Sequence, residues 1–157
     1  MLAPWADVIY GADEAWWTLH IDGVRDISQA KLYTQNQIAA NKFNLSWIRS
    51  KPGRGLSTDN TLIHQGCNSG YQAINLAYHL GVKKIVLLGF DMQHDGKKMH
   101  WFGNHPYGMN NPGSIATWVT LFNSLADDLK EKGVEVVNAT GKTALTCFER
   151  VRLHDAI

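Results

Sequence analysis

Lys84-Ile85-Val86-Leu87-Leu88-Gly89-Phe90-Asp91 decides the fold class. Its apolar run has strand length, and an unbroken run of that kind is expected where a strand is buried on both faces of a parallel sheet covered by helices. Upstream, Gly70 to Leu80 places Ala73, Ile74, Ala77 and Leu80 on one helical face. Gly81 follows where a left-handed residue ends a helix. Downstream, a long loop from Met92 to Gly113 is rich in His, Gly, Asn and Pro. Ser114 then caps a helix in which Ile115, Trp118, Phe122, Leu125 and Leu129 recur every three or four residues, closed by Gly133. Val134 to Asn138 reads as the next strand, and a short helix around Ala144 to Phe148 completes the pattern.

The first half repeats the alternation more faintly. Ala6 to Tyr10 reads as a strand closed by Gly11, and Asp13 stands where it caps a helix over Glu14 to His20, ended by Asp22-Gly23. Lys31 to Gln35 and Leu45 to Arg49 are further strand candidates. The stretch Ser50 to Asn60 holds Pro52, Gly53 and Gly55 and reads as a loop too short to separate two domains. Strands and helices alternating over short connections predict one α/β domain over residues 1–157. Its layout is Rossmann-like: an open, mostly parallel sheet with helices on both faces.

Composition narrows the function classes. The 157 residues are 45% hydrophobic, 10% aromatic and 18% charged, which opposes disorder. Fifteen Lys and Arg against fourteen Asp and Glu give a net charge of +1, without the basic stripe expected of a duplex nucleic-acid binder. No apolar run approaches the roughly 18–20 residues of a membrane span, and the N-terminus lacks the pattern of a signal peptide. Cys67 and Cys147 fit no pairing motif and read as reduced thiols, so the expected location is cytoplasmic.

Ligands of open α/β sheets bind beyond the carboxyl ends of the strands. Three segments are expected to meet there over a common cleft. In Gly66-Cys67-Asn68-Ser69-Gly70, a helix N-terminus offers backbone N–H groups to a phosphate, although Asn68 and Ser69 suit an ordinary N-cap equally well. Asp91, at the tip of the apolar strand, can accept bonds from hydroxyl groups or cap the following loop. The loop supplies His94, His100 and His105, candidates for a general base because imidazole titrates near pH 6.5, or simply solvated side chains. Trp101, Phe102 and Tyr107 either stack on a ligand or pin the loop. The histidine spacing matches no zinc pattern, and no metal or other cofactor is expected. Gly141-Lys142-Thr143 imitates the end of a P-loop, but Val136 stands where the motif needs glycine. The sequon Asn138-Ala139-Thr140 is read as chance, because nothing supports secretion.

Asn68-Ser69-Gly70-Tyr71, Leu80-Gly81 and the strand closing in Gly89-Phe90-Asp91 resemble the central segment of bacterial sialyltransferases. A similar pattern occurs in archaeal pterin-diphosphokinase-like proteins. His100-Trp101-Phe102-Gly103-Asn104-His105 resembles the sialyltransferase His-aromatic-aliphatic-Gly-His segment with one extra residue, and the whole, with Trp16-Trp17, is similar to proteins of tailed bacteriophages. The resemblance covers about residues 62–153, and more loosely 5–40. It implies a Rossmann-type fold and a protein that transfers a sugar-type group from a nucleotide-activated donor. By position, Asp13, Gln35 and Asn36 would contact base and ribose, while Asn68, Ser69, Gly70 and Gly89 would line the nucleotide. His105 would be the general base, with His100 and Asp91 in the catalytic set. These families open with a further strand and a Gly-Asn-Gly-Pro-Ser-type loop. The present chain starts at what corresponds to their second strand, which leaves a sheet edge unpaired and predicts a homo-oligomer. Two other functions fit the same residues: a phage protein, acting in the host cytoplasm, that binds or sequesters a nucleotide without turnover, and a structural protein of virion assembly.

Overall fold

The computed structural model describes residues 3–94 and 115–157, so His100 and His105 lie outside the described residues. The class is α/β with parallel sheets, as the alternation predicts. The chain divides into two compact units, Met1–Lys51 and Pro52–Ile157, and the division falls within the Pro/Gly-bearing stretch after Ser50.

In the first unit β1 (Val8–Tyr10), α1 (Glu14–Ile27), β2 (Lys31–Thr34), α2 (Gln37–Phe43), β3 (Ser46–Trp47) and β4 (Arg49–Lys51) follow one another. β1, β2 and β3 are parallel and lie in chain order, with Ile9 beside Leu32 and Tyr33 beside Ser46. Ile9 and Leu32 pack against a core of Trp17, Ile21, Val24, Ala39 and Leu45, so both helices share one core. α1 does not stop at Asp22-Gly23. Ile21 and Val24 extend the buried stripe begun by Trp17, and each contributes about 1.5–3 kcal/mol on burial against about 1 kcal/mol for glycine within a helix. Burial decides the length.

The second unit contains β5 (Leu62–His64), α3 (Ser69–His79), β6 (Lys84–Leu87), α4 (Ile115–Glu131), β7 (Glu135–Asn138), β8 (Glu149–Arg150) and α5 (Leu153–Ala156). β6, β7 and β8 form a parallel sheet with β7 in the middle; Leu87 lies beside Asn138 and Asn138 beside Arg150. The core joins Tyr71 and Ile74 of α3, Leu87 of β6 and Phe122, Leu125 and Leu129 of α4, the last three as their spacing predicts. Gly81 and Gly133 end their helices in the left-handed region, with φ of +86° and +70°.

Three local expectations are corrected. The buried face of α3 is Tyr71, Ile74 and Leu76, while Leu80 is exposed, because the helix turns its aromatic Tyr71 edge-on to Phe122. β6 is only partly covered: Leu87 is buried, but Leu88 lies beyond the strand and is exposed. No helix forms at Ala144 to Phe148. There Leu145 and Phe148 plug the core from an irregular loop, whose backbone turns on the Thr143 hydroxyl.

Candidate functional site

Parallel strands gather their carboxyl ends on one edge of each sheet, so each unit has an edge to inspect. In the first unit, Gly11 leaves β1 donating its N–H to the Tyr33 carbonyl at 3.1 Å, and its own carbonyl accepts the Trp17 indole N–H at 3.0 Å. This pins the turn that carries Asp13. Asp13 holds the N-cap position of α1 in an extended conformation, yet its carboxylate makes no capping hydrogen bond. The cap expectation is therefore met in position and not in bonding. Burial holds the Tyr10 phenol protonated to well above its usual pH range, reinforced by the Asp13 charge and opposed by a hydrogen bond with the Gln35 backbone.

Gln35 follows β2 at the same edge. Its carbonyl accepts the Trp47 indole N–H at 3.0 Å, which fixes a ring that is 45% exposed. Its side-chain Oε1 is buried and has no hydrogen-bond partner among the described residues. Asn36 is committed to structure: its Oδ1 accepts from Ala39 N–H at 2.9 Å, capping α2, while its backbone N–H donates to Thr34 Oγ1 at 3.1 Å. Of the three residues expected at base and ribose, Asn36 is spent on a cap, while the Asp13 carboxylate caps nothing and Gln35 Oε1 is unpartnered among the described residues.

In the second unit, Gly66 and Cys67 are successive left-handed residues, with φ of +50° and +61°, and they reverse the chain between β5 and α3. Asn68 then acts as a true cap. Its Oδ1 accepts from Tyr71 N–H at 2.8 Å and its Nδ2 donates to the Gly66 carbonyl at 3.1 Å. Ser69 is exposed at the first helical position. A Cβ on Gly70 would come within 2.8 Å of the Phe90 ring, so the turn and the Gly89-Phe90-Asp91 segment do meet, and Phe90 occupies the contact.

Two threonines clasp that segment. Phe90 N–H donates to Thr140 Oγ1 at 3.0 Å, and the Thr143 hydroxyl donates to the Phe90 carbonyl at 2.6 Å. Ala144 N–H adds a bond to the Asp91 carbonyl at 2.8 Å. The P-loop look-alike is thus a backbone clasp. Asn138 is wholly buried in β7, out of reach of a glycosylating enzyme. Asp91 leaves its side chain exposed beside this clasp, and Gly89 takes a φ of +72°. His94 is exposed; the other two histidines of that loop, His100 and His105, lie outside the described residues.

Trp47 falls in the expected Leu45 to Arg49 strand, which contracts to Ser46–Trp47, and strand pattern alone does not show that its ring stays half-exposed. Arg150 ends the two-residue β8, a strand too short for periodicity to record. Among the described residues no cluster of three His, Cys, Asp or Glu side chains could hold a metal ion, and no helix is long and apolar enough to cross a membrane. No family model matches the chain, nor does any curated protein or solved structure.

Proposed function

We propose that the chain is a nucleotide-binding protein of Rossmann-like type with glycosyltransferase-like chemistry, and that the nucleoside lies at the carboxyl edge of β1–β3. The observation that carries this reading is the Asp13 carboxylate, stationed at a helix cap and bonded to no helix N–H. A vicinal diol of ribose supplies the donors such a carboxylate lacks. The fixed, half-exposed Trp47 ring offers a stacking face, held in place by the Gln35 carbonyl. By the sialyltransferase resemblance alone, transfer would use His105 as general base. It takes the acceptor hydroxyl's proton while that oxygen bonds to the anomeric carbon, and the carbon–oxygen bond to the donor phosphate breaks with its electron pair leaving on the nucleotide.

The test is a thermal-shift and calorimetric panel of nucleosides, nucleotides and nucleotide sugars. A ligand at a hundredfold excess over its Kd stabilises by about 2.7 kcal/mol, or about 5–10 °C for a chain of this size. Asp13→Ala should lower the affinity at least tenfold with little change in the stability of the free protein, and His105→Ala should abolish product while sparing binding. Absence of any stabilising ligand refutes the reading. Binding without turnover is the second reading, favoured by Phe90 seated on Gly70, where the α3 N-terminus would otherwise face a donor phosphate. It predicts a ligand shift in a protein that forms no product from any nucleotide sugar.

A further inference from the structure

We infer that the cleft at the carboxyl end of β8, lined by Arg150, Val151, Arg152 and Asp155, is a binding site for a phosphate group. The inference stands apart from the nucleoside reading, since every residue it uses belongs to the second unit. It is a shallow, largely open depression of about 380 Å³, suited to a small polar group held at the surface rather than to an enclosed ligand. Its position is the one where parallel sheets place their ligands: β8 pairs with β7 through Asn138 and Arg150, and Val151 N–H continues the ladder to the Asn138 carbonyl at 3.2 Å.

Charge selects the ligand class. Two arginines, one aspartate and a single aliphatic residue line the cleft, so it is poorly suited to an apolar molecule. Arg150 is already oriented: its η nitrogen donates to the Gly141 carbonyl at 2.9 Å, which spends one of its five N–H donors. Arg152 donates its Nε to Asp155 Oδ2 at 3.2 Å, and Asp155 Oδ1 lies 2.8 Å from His154 Nε2. Those contacts leave most of both guanidinium forks unspent among the described residues. A tetrahedral oxyanion can accept from two forks at once, which is the geometry in which arginine outperforms lysine. Asp155 has a double role, steering Arg152 while opposing an incoming anion.

Calorimetry on the whole chain with inorganic phosphate, ribose 5-phosphate, ribose and acetate tests the assignment. The expected result is saturable binding of both phosphate compounds, none of ribose, and acetate at least tenfold weaker. Arg150→Gln and Arg152→Gln should each weaken phosphate at least fivefold. Asp155→Asn should strengthen it about threefold or more, a gain that general loss of structure cannot imitate. Circular dichroism checks that the exposed substitutions leave the fold intact. Asp13→Ala should not alter phosphate affinity, so failure here and failure of the nucleoside site are separable. No saturable phosphate binding, equal binding of acetate, or binding indifferent to both arginine substitutions would overturn the assignment.

Discussion

Replacing Thr143 with valine removes one hydroxyl and almost nothing else, which makes it a direct probe of the clasp. That hydroxyl donates to the Phe90 carbonyl at 2.6 Å, accepts from Leu145 N–H at 3.0 Å, and lies 3.4 Å from Asn138 Nδ2. The first two contacts have ordinary hydrogen-bond lengths, whereas the third is too long to contribute much. At about 1 kcal/mol for each lost bond, with half-buried partners that water only partly rescues, Thr143→Val should destabilise by about 2 kcal/mol. For a chain of this size the melting temperature should fall by about 4–8 °C. Thr143→Ser keeps the hydroxyl and gives up one methyl group at a partly exposed site, so its loss should stay below about 0.8 kcal/mol. Urea unfolding followed by circular dichroism measures both, and an unchanged m value confirms that the same cooperative unit is unfolding. A Thr143→Val protein within 0.5 kcal/mol of the parent, or one no weaker than Thr143→Ser, would show that the hydroxyl is not the pivot of the loop. The reasoning from bond lengths would then be wrong.

Other consequences are open to equally simple measurements. Burial pushes the Cys147 thiol up to about 11, so at pH 8 only about one molecule in a thousand carries the thiolate there; maleimide followed by mass spectrometry should label the exposed Cys67 first and Cys147 only on unfolding. The Tyr71 phenol, which donates to the Gly55 carbonyl at 2.9 Å, is pushed up to about 12 by burial. Because the native state holds this proton above the unfolded pKa near 10, its contribution is complete below pH 10 and is lost as pH rises from about 10 to 12. Because Tyr10 is also held protonated, the comparison decides: midpoints of the parent that fall across that window no more steeply than those of Tyr71→Phe would contradict this. β1 pairs only with β2 among the described residues, and Trp5 just before it is 78% exposed, so light scattering at micromolar concentration should report a dimer or larger; a monomer refutes the edge argument.

Long periodic segments were legible in the sequence because burial sets them and periodicity records burial. The stripe Phe122, Leu125, Leu129 is the clearest case, and β2, β6 and β7 fall within a residue of their expected places. Where the reading failed, a tertiary contact overrode a local signal. Gly23 looks like a helix stop only until Val24 is seen to be buried one residue later. The i, i+3 pair Leu145 and Phe148 imitates a helical face, but these side chains enter the core from a loop that the Thr143 hydroxyl and the Arg150 guanidinium hold by hydrogen bonds. Helix α2 was hidden because its seven residues bury only two alanines, a face without hydrophobic contrast.

The candidate sites were less legible for a related reason: type and spacing show which side chains can bond, and only coordinates show which have already done so. Asn36, Asn68 and Thr143 all sit where strand–turn–helix patterns place ligand contacts, and each is consumed by the backbone, as a cap on α2, a cap on α3 and a clasp on Phe90. A polar atom already satisfied at 2.6–2.9 Å gains little by exchanging that partner for a ligand. Asp13 and Gln35 are the reverse case, the Asp13 carboxylate capping nothing on its own helix and Gln35 Oε1 unpartnered among the described residues, and Arg150 and Arg152 spend one donor each. Sorting candidates by unspent capacity moves the search away from the glycine-bearing turns that draw the eye in the sequence. It directs attention to the carboxyl edge of β1–β3 and the arginine-lined end of β8, two places whose ligands would complete hydrogen bonds that folding did not.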